Sequence, residues 1–226
     1  HAIGGEYNKS KVGSSRYSDI CVFSFHPVKI ITTAEGGLAT TNNDIFARKM
    51  RLFSSHGITK NNDEFDFKNQ GSWHYEQQML GYNYRMNELQ AALGISQIKR
   101  LKKIVNERNK IYQIYKKELN DLNISVLEIP KNVRSSVHLA IIKVNINLHK
   151  ELFERLRLAG IGVQLHYQPV HLQPYYRRLG FKEGDFINSE NYAKQAITVP
   201  LYPGLGKNKQ KFIINKIKSI FNHINV

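Results

Sequence analysis

One cysteine, Cys21, is present, so no internal disulfide can form, and that usage fits a reducing, cytoplasmic compartment. No apolar run approaches the length needed to cross a bilayer, and a membrane location is not expected. No polar low-complexity tract and no internal repeat occurs. Neither His/Cys/Asp/Glu spacing typical of a metal site nor a helix-turn-helix pattern is found. Acidic residues are scarce, 18 against 33 Lys and Arg, for a net charge of +15. That excess would serve nucleic acid or a multiply anionic small substrate. The basic residues form no single block, and the densest group (Lys99, Arg100, Lys102, Lys103) falls in a helical pattern. A solvated basic surface with some pull on anions is therefore preferred over nucleic-acid binding. There is also no initiator Met and no signal-peptide pattern; His1-Ala2-Ile3-Gly4-Gly5 reads as the middle of a longer chain.

What is present supports a folded α/β chain. Hydrophobic residues make up 41% of 226 positions, enough for one or two domains. Residues 20–25 form a short β-branched and aromatic run that predicts a buried strand, with Gly36-Gly37 as a turn and 38–41 as a second strand. Asn42 or Asn43 can cap a helix from Asp44 to about Phe53. Residues 55–81 lack any period and predict a long loop of the kind that is functional or covers a partner. Residues 87–119 carry apolar side chains at helical spacing. Further on, the pattern predicts strands at 138–145 and 161–167 and helices at 148–159, 189–196 and 207–221. Gly160 is placed to end the first of these helices, and 197–200 is a brief apolar segment. The breaks at Pro130, Asn132 and Ser135-Ser136 place a domain boundary near 120–135, taken as 1–125 and 126–226.

The chemistry centres on Lys29. It follows a strand and precedes Thr32-Thr33-Ala34-Glu35-Gly36-Gly37, so it can project into a cleft. Partial desolvation there would favour the neutral amine that forms a Schiff base. The hydroxyls of Ser24, Thr32 and Thr33 could serve phosphate oxygens. On the Ser24-to-Lys29 spacing alone, an ordinary surface lysine is the preferred reading.

The surrounding words decide. Phe23-Ser24-Phe25-His26-Pro27-Val28-Lys29, Ser54-Ser55-His56-Gly57-Ile58 and Leu80-Gly81-Tyr82-Asn83-Tyr84-Arg85-Met86-Asn87-Glu88 come first. Gly160-Ile161-Gly162-Val163-Gln164-Leu165-His166-Tyr167, His171-Leu172-Gln173-Pro174-Tyr175-Tyr176 and Leu201-Tyr202-Pro203-Gly204-Leu205 follow. In this order and over nearly the whole chain, they resemble the DegT/DnrJ/EryC-type nucleotide-sugar aminotransferases. Trp73-His74-Tyr75-Glu76-Gln77 and His166-Tyr167-Gln168-Pro169-Val170-His171 look closest to the pseudaminic-acid branch.

The resemblance implies an aspartate-aminotransferase-like large domain, present in part, then a small C-terminal α/β domain. It implies pyridoxal 5′-phosphate as cofactor, and transamination of a UDP-linked 4-keto-6-deoxy-N-acetylhexosamine with glutamate as donor. A homodimer with sites shared across its interface is also implied. Lys29 matches the cofactor lysine and proton shuttle, which argues against the dehydratases of the family that carry histidine there. Ser24 matches a hydroxyl near the phosphate or the lysine, Asn83 a residue reaching the neighbouring subunit's cofactor phosphate, and His1 a histidine of the cofactor pocket. Arg85 is expected at a phosphate or in a salt bridge where the helix begins, and His26 near the ring or sugar or as a packed loop residue. His166, Tyr167 and His171 are expected to line the sugar pocket, with core packing a rival for Tyr167. The stretch from Trp73 to Tyr82 would stack on a base or pack at a dimer interface. The aspartate that pairs with the pyridine nitrogen falls before His1, so the isolated chain is not expected to be a competent enzyme. Still open are dTDP-linked or 3-keto sugars, a DNA-binding relative, and a degenerate product.

Overall fold

The computed structural model describes residues 1–225, which divide into two units. Unit 1 is His1–Lys102 with Asn132–Arg134; unit 2 is Lys103–Lys131 and the chain from Ser135 onward. In order, the strands are β1 (Glu6–Tyr7), β2 (Ser10–Lys11), β3 (Cys21–Ser24), β4 (Gly37–Thr40), β5 (Ile58–Thr59), β6 (Glu76–Gln77), β7 (Ser125–Val126), β8 (Val133–Arg134), β9 (Ala140–Lys143) and β10 (Ala196–Val199). The helices are α1 (Asp44–Ser54), α2 (Glu88–Leu119), α3 (Ile146–Leu158), α4 (Pro174–Arg178), α5 (Ile187–Ala193) and α6 (Lys207–Ile224).

In unit 1, β3 and β4 pair antiparallel, with Ser24 opposite Gly37. The expected strand is there but only one of its faces is covered: Phe23 is buried and Val22 is 74% exposed. The period-2 alternation of a strand accounts for the difference, because consecutive side chains point to opposite faces. A second small sheet runs β2-β1-β8. Asn43, rather than Asn42, caps α1: its Oδ1 accepts from the backbone N–H of Ile45 at 2.9 Å and of Phe46 at 3.1 Å. Asn42 instead donates to the Ser14 carbonyl. The expected loop at 55–81 is mostly irregular but includes the β5–β6 ladder. The Glu76 carboxylate ties it down by accepting from the amides of Asp66 (2.6 Å) and Phe67 (2.9 Å).

Unit 2 holds an antiparallel sheet in the order β10-β9-β7. Ile142, Ile197 and Val199 of the sheet join Leu152 and Leu156 of α3, Ile217 of α6 and Tyr115 of α2 in one apolar core. The buried Arg108 guanidinium donates to the carbonyls of Val137, His138 and Leu201, which satisfies three acceptors at the strand ends. Burial lowers its pKa. Gly160, at φ +77, ends α3 as expected; its N–H donates to the Arg157 carbonyl and that of Ile161 to the Leu156 carbonyl. The strand expected at 161–167 is reduced to a single bridge, Gln164 with Thr198. Gly160 and Gly162 open this stretch, and glycine weakens a strand. The helix expected at 189–196 is Ile187–Ala193, because Ala196 already begins β10.

Candidate active site

Lys29 stands on the loop joining β3 to β4. The loop is anchored from below by Phe25, Ile30, Ile31 and Thr33, all buried. Its backbone is closed by Phe25 N–H to the Gly36 carbonyl and Thr33 N–H to the Phe25 carbonyl, both 2.9 Å. Glycine is required at position 36, where φ is +155 and a Cβ would lie 2.3 Å from the Thr33 Oγ1. The hydroxyls of Thr32 and Thr33 donate to the carbonyls of Phe25 and Glu35. Both therefore shape the loop, and of the three candidate hydroxyls only that of Ser24 keeps its proton for another acceptor. Ser24 is exposed, and its oxygen accepts weakly from the His26 N–H at 3.4 Å.

The Lys29 side chain is partly buried, and its Nζ shares a hydrogen bond with Nε2 of His1. With Nζ as the donor, Nε2 of His1 accepts. His26 is half-exposed, and its Nε2 lies 3.8 Å from a Glu35 carboxylate oxygen. The lysine loop packs close to the start of α2: a Cβ at Gly36 would lie 2.9 Å from Met86 Cε, and one at Gly94 2.9 Å from Thr33 Cγ2.

Asn83 and Arg85 project from a tightly built corner. Residues 53–56 are laced to 82–84 by His56 N–H to the Tyr82 carbonyl (2.7 Å), Tyr82 N–H to the Phe53 carbonyl (2.7 Å) and Tyr84 N–H to the Ser54 carbonyl (2.9 Å). His56 sits at φ +60, an uncommon conformation for a side chain of its size. Arg85 Nε donates to Asn83 Oδ1 at 3.0 Å, and its Nη2 lies 3.5 Å from His56 Nε2. No carboxylate contacts Arg85 among the described residues, so the expected salt bridge is not what holds it there. His56 carries no role in the sequence pattern; its place next to Arg85 is visible only in three dimensions. The rings of Tyr82 and Tyr84 stack at 4.8 Å, both exposed.

In unit 2, His166 Nδ1 meets the Thr198 hydroxyl at 2.9 Å, and the Tyr192 hydroxyl donates to the His166 carbonyl at 3.3 Å. Tyr167 is 61% exposed, so core packing does not describe it. His171 is buried, with Nε2 2.9 Å from the Glu190 carboxylate. That bond, foremost, holds the Glu190 carboxyl below its usual range. Glu190 carried no sequence signal. No cluster of three or more metal-ligating side chains occurs among the described residues.

A partly buried lysine on a strand-to-strand loop, with the exposed Ser24 hydroxyl on the strand before it, suits a ligand that carries an aldehyde and a phosphate. The fold is that of the pyridoxal-phosphate-dependent, fold-type-I sugar aminotransferases. The chain belongs to the DegT/DnrJ/EryC1/StrS aminotransferase family, whose model matches residues 1–218. It is 36% identical over 228 residues to the UDP-4-amino-4,6-dideoxy-N-acetyl-beta-L-altrosamine transaminase of Campylobacter jejuni, covering 99% of this chain and 57% of that one. Helicobacter pylori PseC, an aminotransferase involved in the biosynthesis of pseudoaminic acid, superimposes with a TM-score of 0.88 at 31% identity, covering 99% of this chain and 58% of that one. A sugar aminotransferase of Streptococcus pneumoniae, Spr1654, gives 0.89 at 29% identity over 99% of this chain and 58% of its own. Spr1654 is known in PLP, PMP and apo forms. The chain thus spans a little over half the length of the relatives it matches. No helix among the described residues is long and apolar enough to cross a membrane.

Proposed function

We propose that the whole protein is a pyridoxal 5′-phosphate-dependent aminotransferase that converts a keto nucleotide sugar to the amino sugar, and that this chain supplies its lysine. The carrying observation is the partly buried Lys29 on the β3–β4 loop with its amine held by His1. When bound, the cofactor supplies an aldehyde for the amine and a ring that withdraws electrons from the carbon exchanging its amino group. Lys29 Nζ attaches the cofactor and then moves the proton at that carbon. His1, accepting from Nζ, orients the amine. The Ser24 hydroxyl and the Asn83 amide fit phosphate oxygens, with Asn83 serving the neighbouring subunit's site. The Arg85 guanidinium and His26 fit the substrate side, and His166 and Tyr167 the sugar.

The Campylobacter and Helicobacter relatives favour a UDP-linked 4-keto-6-deoxy-N-acetylhexosamine as substrate and a place in pseudaminic-acid or related surface-glycan synthesis, with glutamate as donor. Exposed Trp73, Tyr75, Leu80, Tyr82 and Tyr84 favour burial against a second subunit, as a homodimer needs. We assign 1–125 to the cofactor-binding domain and 126–226 to the small domain.

The test is borohydride trapping with pyridoxal phosphate followed by peptide mass mapping. A phosphopyridoxyl adduct confined to Lys29, and lost in Lys29→Ala, is expected. Adducts scattered over the surface lysines, unchanged in Lys29→Ala, would remove the assignment.

A further inference from the structure

Every residue from 173 to 189 is exposed, and the stretch is bracketed by two buried polar residues, His171 and Glu190. An exposed strap of this length gains little from apolar burial, and Tyr175 and Leu179 are 61% and 62% open. Beside the ring contacts of Tyr176, Phe181 and Phe186, its order therefore draws on polar ties. Inside the strap these are local: the backbone bonds of α4 and the turn after it, Arg177 Nε to the Leu172 carbonyl, and the Lys182 N–H to the Asp185 carboxylate; an exposed Lys194–Glu183 ion pair adds one tie from outside. The strongest convergence lies at its base. Glu190 Oε1 accepts from His171 Nε2 at 2.9 Å, from the Gly184 amide at 2.9 Å and from the Phe186 amide at 3.4 Å; Oε2 also faces the Gly184 amide at 3.2 Å. The His171 ring packs on Phe186 with centroids 4.8 Å apart. One carboxylate thus gathers the start of the strap, through His171, and its end, through Gly184 and Phe186.

We propose that His171 and Glu190 form a buried latch that closes the strap 173–186 at its base, and that His171 is a positioning residue rather than a substrate ligand. Its Nε2 is committed to the Glu190 carboxylate. The strap held by the latch carries Tyr175, Arg178 and Lys182, all exposed. That mixture of an aromatic ring and cations suits the base and phosphates of a nucleotide. This last consequence rests on the aminotransferase reading; the latch does not.

Hydrogen exchange on this chain tests the latch without any cofactor, so its failure is separate from a failed borohydride trapping. His171→Leu and Glu190→Ala should each raise exchange at the Gly184 and Phe186 amides about tenfold or more, leaving the β9 and β10 amides unchanged. His171→Gln, whose side-chain N–H can reach the same carboxylate, should restore protection. Should the variants fail to fold, the unmodified chain still answers through NMR of the His171 ring, where a slowly exchanging Nε2 proton is expected. No rise at the two amides, an equal rise throughout unit 2, a His171→Gln variant as fast as His171→Leu, or an unprotected ring proton would overturn the proposal.

Discussion

Tyr115 has no exposed surface, yet it carries a hydroxyl that must find an acceptor. It does so at the Pro200 carbonyl, 2.9 Å away, and burial pushes the phenol well above its usual range. Tyr115→Phe removes the donor and keeps the ring. It should cost about 1 kcal/mol, seen as a lower urea midpoint with an unchanged slope. Legibility at this scale depended on neighbours in the chain. Lys29 could be singled out because its flanking words lie beside it. The bonds that give residues their surroundings join distant positions: Arg108 with Leu201, His166 with Thr198, His171 with Glu190. No period or spacing links such pairs, so sequence reasoning proposed the histidines and missed what holds them. Thr32 and Thr33 show the reverse, being plausible phosphate donors by type but committed to the loop's own carbonyls.

Elements were read well where one local cause set them. The Asn43 cap fixed the start of α1, and apolar spacing fixed α2 within a residue or so. They were read poorly where pairing with a distant strand decides: β1, β2 and β8 are two residues each and make sense only together. The corner at 55–57 is likewise a product of tertiary contact. Gly57 sits at φ +69, and a Cβ there would lie 1.8 Å from the Met79 carbonyl oxygen. Gly57→Ala should therefore destabilise by about 2–4 kcal/mol, through the left-handed backbone and the collision together. A fall in Tm measured by circular dichroism would show it, accompanied by faster exchange at Gln78, whose N–H donates to the Gly57 carbonyl.

Across the whole molecule, apolar burial is uneven. The main core cluster belongs entirely to unit 2, while the sheets of unit 1 are ladders of two to four residues, with Val22 and Leu80 open to solvent. Amides of β9, β10 and α6 should thus be the slowest to exchange, with those of β1–β6 faster by orders of magnitude. Uniform protection along the chain would contradict this. The α/β class was legible from the alternation of short apolar runs with helical patterns. The uneven depth of burial was not, because composition is similar throughout while burial depends on which faces meet.

The 55–57 corner has a consequence for how this sequence can drift. A Cβ at Gly81 would fall 2.3 Å from the Gly57 nitrogen, so two glycines far apart in the chain guard the same small volume. Once a side chain at one has forced the corner open, the second change meets a gap already made. The two positions are then epistatic: harmful singly, but together less than the sum of their separate effects.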